Sequence, residues 1–199
     1  RNIQKFPWNH KRVLRIYREL ALNLRIKPRK RIVRNRPEAL GIATDINQTW
    51  SMDFMSDSLQ NGRHFRTFNV IDDYNREGLC MDVGFSLPTE RVIRSLERII
   101  EWRGKPAAIR CDNGPEYISQ KLVDWANSYK ITLIYTQPGR PTQNAYIERF
   151  NRTVREELLS SYLFETIDDV QIYSTQWLWG YNNKRPHSAI GSVPPCQIQ

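Results

Sequence analysis

The sequence has few of the residues that build zinc centres and disulfide frameworks. Its 199 residues include three cysteines and three histidines, which are scattered and form no C-x-x-C pair. This argues against a structural zinc site and fits a reducing, cytosolic setting. No apolar run approaches the ~18 residues of a membrane-spanning helix, and no signal peptide opens the chain. We therefore expect a cytoplasmic protein with no membrane partner.

Acidic residues are almost missing from the first 36 positions. That segment holds thirteen Lys and Arg residues against Glu19 alone, whereas residues 37–199 hold seventeen basic and twenty acidic residues. Such a basic segment binds nucleic acid or an anionic membrane surface, although a solvated helix and linker would look the same. Apolar spacing predicts a helix over 9–22, and 27-KPRKRIVRNRP-37 reads as a basic linker. We predict a basic helical arm and linker over 1–36 and a folded domain over 37–199.

The remainder has the periodicity of one α/β domain. Three alternating segments with short turns between them predict an antiparallel meander of strands over 49–57, 64–72 and 78–85. Helical and strand patterns then alternate, with helices over 88–103, 116–129, 143–161 and 167–181 and strands over 106–111 and 131–136. The order βββαβαβαα predicts a mixed five-stranded sheet flanked by helices.

Three acidic residues lie where this fold could use them chemically. Asp53 is in the middle of the first strand and faces away from its apolar side, Asp112 ends the fourth strand, and Glu148 is near the start of the penultimate helix. Taken singly, each has an ordinary explanation. Asp53 fits an exposed strand residue, Asp112 fits turn chemistry, and Glu148 fits a surface ion pair with Arg152. Their function depends on whether the fold brings them together.

The helix that carries Glu148 has two stripes of side chains about a quarter turn apart. The apolar stripe, which we expect to be buried, consists of Ile147, Phe150, Val154 and Leu158. The polar stripe consists of Asn144, Glu148, Arg152 and Arg155. On its own, the polar stripe also fits the charge of a solvated helix face.

Several long blocks carry a family resemblance. They are WSMDFMSD, FNVIDDYNRE, EWRGKPAAIRCDNGPEYIS, QPGRPTQNAYIERFNRTVREELL and WLWGYNNKRPHSAIG. With these blocks the chain resembles the DDE polynucleotidyl transferases, which include retroviral integrase cores and bacterial insertion-sequence transposases. It is most similar to the second-reading-frame product of insertion sequence family three. The resemblance implies a ribonuclease H-like fold, in which the first and fourth strands are neighbours.

The resemblance also implies a reaction and its residues. The family's catalytic, metal-binding triad falls on Asp53, Asp112 and Glu148, and its characteristic basic residue falls on Arg155. Metal-dependent DNA cleavage and strand transfer would use two Mg²⁺ ions, for which Mn²⁺ can substitute, because these hard cations prefer oxygen ligands. Asp53 would bridge both ions, while Asp112 and Glu148 would each bind one.

The expected partner is DNA, both the terminal repeats of an insertion element and the target. We predict DNA contacts at Asn144, Arg152 and Arg155 and, in the arm, at Lys27, Arg29, Lys30 and Arg31. A simple helix cap is an equal explanation for Asn144. The resemblance implies that the arm is a remnant of an amino-terminal DNA-recognition region, and that the protein acts as a homo-oligomer on bacterial, nucleoid DNA.

Three other functions remain as alternatives. A catalytically idle relic could bind DNA through its basic arm, but such a relic would be expected to lose a carboxylate, and all three are present. A free-standing ribonuclease H-type nuclease shares the metal chemistry, but the basic residues beside Glu148 argue against it. A retroviral-type integrase would carry a His/His/Cys/Cys zinc module, and the sequence has none.

Overall fold

The computed structural model describes residues 9–22, 41–136 and 144–198. Chain contacts define two compact units, Arg1–Pro37 and Glu38–Gln199. In the first unit the described element is helix α1 (His10–Glu19), which begins where the Asn9 side chain accepts a hydrogen bond from the Lys11 amide at 3.1 Å. The predicted helix over 9–22 is therefore confirmed, while the basic linker lies outside the described residues.

The second unit is built on one five-stranded sheet, as predicted. Its strands are β1 (Thr49–Ser58), β2 (His64–Asp72), β3 (Gly78–Gly84), β4 (Ala108–Cys111) and β5 (Thr132–Tyr135). They lie in the order β3-β2-β1-β4-β5. The first three strands pair antiparallel as a meander, whereas β1, β4 and β5 run parallel. The sheet is therefore mixed, and β1 is its central strand.

Four helices complete the predicted order βββαβαβαα. They are α2 (Thr89–Arg103), α3 (Gln120–Tyr129), α4 (Ala145–Val154) and α5 (Ile167–Asn183). Helix α3 begins later than its apolar pattern predicts, because Ser119 caps it by accepting from the Leu122 amide at 3.4 Å. The residues before Ser119 form a turn instead of a first helical turn.

The predicted helix over 143–161 is confirmed as one helical run from Ala145 to Leu159, whose last five residues are π-helical. Helix α4 ends at Val154 and passes into a π-helical turn, Arg155–Leu159, in which the Ser160 amide donates to the Arg155 carbonyl at 2.8 Å. This wider turn buries two consecutive side chains, Leu158 and Leu159, which a regular helix would direct to different sides. Leu158 therefore stays in the core with the predicted apolar stripe, and the π-helical turn adds Leu159 to it.

Each face of the sheet covers its own apolar core. One core contains Trp50 and Met52 from β1 and the buried faces of α2 and α3. The other contains Met55 from β1 together with α4, the π-helical turn and α5. Because side chains alternate along a strand, Asp53 lies on the same face as Met55, beneath α4.

The turn between β2 and β3 is held by two buried aspartates. Asp72 accepts the amides of Asn47 and Tyr74, each at 2.8 Å. Asp73 forms a buried salt bridge with Arg110 of β4 at 2.5 Å. Both acids are therefore engaged in contacts that hold the fold together. Among the described helices, none is long and apolar enough to cross a membrane.

Candidate active site

Strand register places Asp53 and Asp112 side by side. The parallel pairing of β1 with β4 aligns Ser51 with Arg110. Two residues further along both strands, the same alignment sets Asp53 opposite Asp112, which is the first residue after β4. Because side chains repeat every two residues, both aspartates belong to the sheet face that α4 covers. The sequence-based expectation that the first and fourth strands are neighbours is thereby confirmed.

Glu148 joins this pair from the first turn of α4. Its helix buries Ile147, Phe150 and Val154 against the sheet, which confirms the predicted apolar stripe. Glu148 itself is exposed, as is Asp112. One turn along the helix, the Asn151 side chain donates a hydrogen bond to Oδ2 of Asp53 at 2.9 Å. This contact fixes the face of α4 that carries Glu148 toward Asp53.

The electrostatics of Asp53 show that the other two carboxylates act on it. Its pKa is raised from 3.8 to about 6, chiefly by burial and in the same direction by the negative charges of Asp112 and Glu148. Hydrogen bonds from the Phe54 amide at 2.8 Å and from Asn151 oppose this rise. Asp53 is therefore a carboxylate whose negative charge lacks full compensation from the protein.

Asn151 and Asn69 hold Asp53 in place, and the sequence patterns did not indicate either. Asn69 lies opposite Asp53 on β2, and its side chain donates to Oδ1 of Asn151 at 2.8 Å. Both asparagines are buried, where a polar side chain without a partner would be costly. Because the side-chain oxygen of Asn151 accepts from Asn69, the side-chain NH2 group of Asn151 is turned toward Asp53 and donates to it. The only signal in the sequence was the position of Asn151, three residues after Glu148.

Asp112 both shapes a turn and belongs to the carboxylate group. Its Oδ1 accepts the Gly114 amide at 2.8 Å, which is the turn chemistry that the CDNG sequence predicts. A Cβ at Gly114 would stand 3.0 Å from that same oxygen, so glycine permits the close approach. The neighbouring Cys111 is no competing ligand, because burial raises the pKa of its thiol to about 12 and keeps it protonated.

The donor set suits a hard divalent cation. All three side chains offer oxygen, and the raised pKa of Asp53 reflects negative charge that a cation would offset. Within the ranges that the structure describes, no group of three or more His, Cys, Asp or Glu side chains is already arranged to hold a metal ion.

The predicted DNA contacts have different surroundings. Arg152 is exposed on α4, whereas Asn144 is buried at the start of that helix and makes no side-chain capping bond. Arg155 forms a salt bridge with Asp57 at 3.4 Å and donates to the Ser56 carbonyl at 3.0 Å. Arg155 is therefore already engaged by β1, although about half of its side chain remains exposed. The arm residues Lys27, Arg29, Lys30 and Arg31 lie outside the described residues.

Comparisons with known proteins agree on one family. Models of the integrase core domain match residues 43–141 and residues 129–195. An uncharacterized 31.7 kDa protein of insertion element IS407 from Burkholderia multivorans is 39% identical over 190 residues, which cover 96% of this chain and 69% of the relative. The chain belongs to the integrase core family of bacterial insertion-sequence transposases. This confirms the family that the sequence blocks indicated.

Other relatives of this integrase core extend the comparison. A 39.2 kDa protein of insertion element IS476 from Xanthomonas euvesicatoria is also 39% identical, over 96% of this chain but only 55% of its own length. The HTLV-2 integrase catalytic core domain, solved in complex with magnesium, superposes with a TM-score of 0.63 at 20% identity, covering 76% of this chain and 95% of that one. At that identity the likeness establishes the ribonuclease H-like fold alone.

Replacing Asn151 with alanine is expected to raise the pKa of Asp53 above its value of about 6. The variant removes a hydrogen bond that favours the charged carboxylate, so the rise should be about one pH unit. A carboxyl-carbon NMR titration of the metal-free protein measures it. The matched control is Asn182→Ala, because Asn182 bridges α5 to Gly78 of β3, away from Asp53. An unchanged Asp53 titration in Asn151→Ala would contradict the role given to this contact.

Proposed function

We propose that this integrase core cleaves and joins DNA strands at Asp53, Asp112 and Glu148, with Mg²⁺ or Mn²⁺ as cofactor. The observation that carries the proposal is the Asp53 carboxyl, whose pKa is raised by burial and by the charges of the other two acids. A cluster of carboxylates on an integrase core matches the requirements of phosphodiester chemistry. The magnesium in the HTLV-2 integrase core gives independent support for a divalent cation.

The three carboxylates have distinct parts in the proposal. Asp53 neighbours Asp112 on the sheet and contacts the helix that carries Glu148, so we assign it to share two ions, with Asp112 and Glu148 completing one each. When bound, two divalent ions activate the attacking oxygen and stabilise the leaving oxygen of an in-line displacement. No protein side chain is assigned as general base in this proposal.

The rest of the site holds the acids and the substrate. Asn151 and Asn69 orient Asp53, and the Gly114 amide orients Asp112, so two of the carboxylates are fixed before substrate arrives. Arg152 is placed to contact the DNA backbone one turn from Glu148. Arg155 joins it, and Asn144 acts close to the substrate at the start of α4. The whole protein is expected to act on bacterial DNA as a homo-oligomer.

A strand-joining assay tests this function directly. The purified chain is mixed with labelled oligonucleotides that carry element ends or scrambled ends, in Mg²⁺, Mn²⁺, Ca²⁺ or EDTA. We expect joining in Mg²⁺ and Mn²⁺ and none in EDTA, because the carboxylates cannot activate the nucleophile without the ion. We also expect little preference for true ends, since reading bases requires an element placed in a groove.

Two outcomes of this assay would change the proposal. Undiminished joining in EDTA would exclude a metal-dependent reaction at the three acids. A large preference for true ends would mean that the arm over 1–36 or the core itself reads DNA sequence. The alternative of an idle DNA-binding relic requires no joining under any condition, and no feature of the structure favours it.

A further inference from the structure

A cavity of about 550 Å³ lies beside α4, away from the carboxylates. It separates α4 from the closing segment, residues 185–192, which belongs to the sequence block WLWGYNNKRPHSAIG. Three arginines line it, Arg76, Arg149 and Arg185, and no acidic side chain is part of its described lining. A partly enclosed space with several guanidinium groups attracts anions.

Arg76 occupies an unusual backbone position. It has a φ of +64°, in the left-handed region that glycine adopts without strain, and its amide closes the β2–β3 turn by donating to the Asp72 carbonyl at 3.0 Å. Its guanidinium lies 3.5 Å from the centre of the Tyr146 ring on α4. A turn alone would favour glycine here, so the side chain must have a use that offsets the strain.

The arginine side chain has an unused hydrogen-bond donor. Nη1 of Arg76 is buried and has no partner among the described residues. Nε2 of His187, in the closing segment, is likewise buried without a partner. Burial and the charge of Arg185 lower the pKa of His187, so this ring is neutral at neutral pH and adds no charge of its own. Both residues line the cavity, so two polar atoms without a described partner lie at its wall.

The other two arginines differ in whether an acidic side chain pairs with them. Arg185 forms a salt bridge with Glu157 of the π-helical turn. Arg149 forms no salt bridge within the described parts of the chain. Asp73, the acid whose charge acts on Arg76, is already paired with Arg110. The cavity therefore retains uncompensated positive charge at Arg76 and Arg149.

We propose that this cavity binds a phosphate of a DNA strand, through the guanidinium groups of Arg76 and Arg149. Phosphate oxygens accept the charge-assisted hydrogen bonds that an arginine offers. Arg149 directly follows Glu148, and successive helix residues point about 100° apart, so the phosphate held here differs from the one that reacts. This inference rests on the proposed action on DNA, and it gives the closing block of the sequence a role as one wall of the site.

The test measures DNA binding without chemistry. A fluorescein-labelled duplex oligonucleotide is titrated with the full chain in EDTA, and anisotropy is followed over a range of salt concentrations. Arg76→Gly is expected to weaken binding about tenfold and to lower the salt slope by about 0.9, the loss of one phosphate contact. Arg149→Gln should have a similar effect. Because EDTA removes the reaction, failure of the proposed catalysis would leave this result unchanged.

The controls distinguish loss of the phosphate site from misfolding, and binding of a DNA phosphate from binding of a free nucleotide. Arg76→Gly should melt at the same or a higher temperature, because glycine accepts the positive φ. If Arg76→Gly nevertheless misfolds, Arg149→Gln alone tests the proposal. Arg63→Ala removes an arginine that stacks on Phe85 at 3.4 Å outside the cavity and should change affinity less than twofold. Equal affinity and slope in the cavity variants and the parent chain would overturn the proposal. Stabilisation by thymidine monophosphate with unchanged duplex binding would overturn it too, in favour of a mononucleotide site.

Discussion

Asp53→Asn, Asp112→Asn and Glu148→Gln are each expected to lose strand joining by more than about 1,000-fold in Mg²⁺. An amide keeps the shape of the side chain but loses the charge that holds the ion, and with it several kcal/mol of stabilisation of the reacting phosphate. DNA affinity in EDTA should stay nearly unchanged. Single-turnover joining rates and anisotropy measure the two effects separately.

The matched control for this series is Asp57→Asn. Asp57 lies on the same strand as Asp53, but its partner is Arg155. This variant should keep Mg²⁺-dependent joining, since it removes a carboxylate without touching the proposed ion site. If any one of the three amide variants retained joining at the parental rate, that residue would have to be removed from the site.

Asp53→Asn is also expected to change the free energy of unfolding, and measuring this change shows whether the variant is folded. The folded-state pKa of Asp53 is about 6, above its ordinary 3.8, so its protonated form stabilises the fold below pH 3.8 and this stabilisation is lost as the pH rises through 6. At neutral pH without metal, the amide avoids that cost, and we expect a gain of about 1–2 kcal/mol in the free energy of unfolding, reduced for partial solvent access. Mg²⁺ should stabilise the parent chain more than this variant.

Removing residues 1–36 is expected to weaken duplex binding by at least about 100-fold at physiological salt. The segment carries thirteen of the thirty Lys and Arg residues, and each lost phosphate contact lowers the log–log salt slope by about 0.9. Anisotropy titrations at several salt concentrations give both quantities. The folded unit should retain its melting transition, because Glu38–Gln199 is a separate compact unit.

A milder variant tests the arm at fixed length. Changing Lys27, Arg29, Lys30 and Arg31 to glutamine should lower the salt slope by up to about 3.6, the value for four phosphate contacts. The chain keeps its length and its prolines, so a change in reach cannot explain the loss. An unchanged slope in both variants would identify the arm as a solvated linker that does not contact DNA.

The order of elements and the three acids could be predicted from the sequence because they depend on local patterns. Alternation along β1 placed Asp53 on the face opposite Trp50 and Met52, and helical spacing identified the buried stripe of α4. Neighbouring residues in the chain determine these periodicities, so no distant contact is needed to read them. The long family blocks then indicated which acids belong together.

The parts of the site that depend on distant contacts were decided by the tertiary structure. Asn151 contacts Asp53 across 98 positions in the chain and Asn69 across 82. Arg155, predicted to face DNA beside Glu148, pairs with Asp57 of β1, which is 98 positions away in the chain. Local periodicity contains no information about which polar groups meet after folding.

The raised pKa of Asp53 and the arginine cavity have the same origin. Burial by α4 and the charges of Asp112 and Glu148 act on Asp53 only once three separate segments have packed. The cavity likewise forms where the β2–β3 turn, α4 and the closing segment meet, and Arg76 shows nothing unusual in the sequence until its φ of +64° is known. Desolvation and through-space charge depend on distances in the folded chain, and only tertiary packing sets those distances.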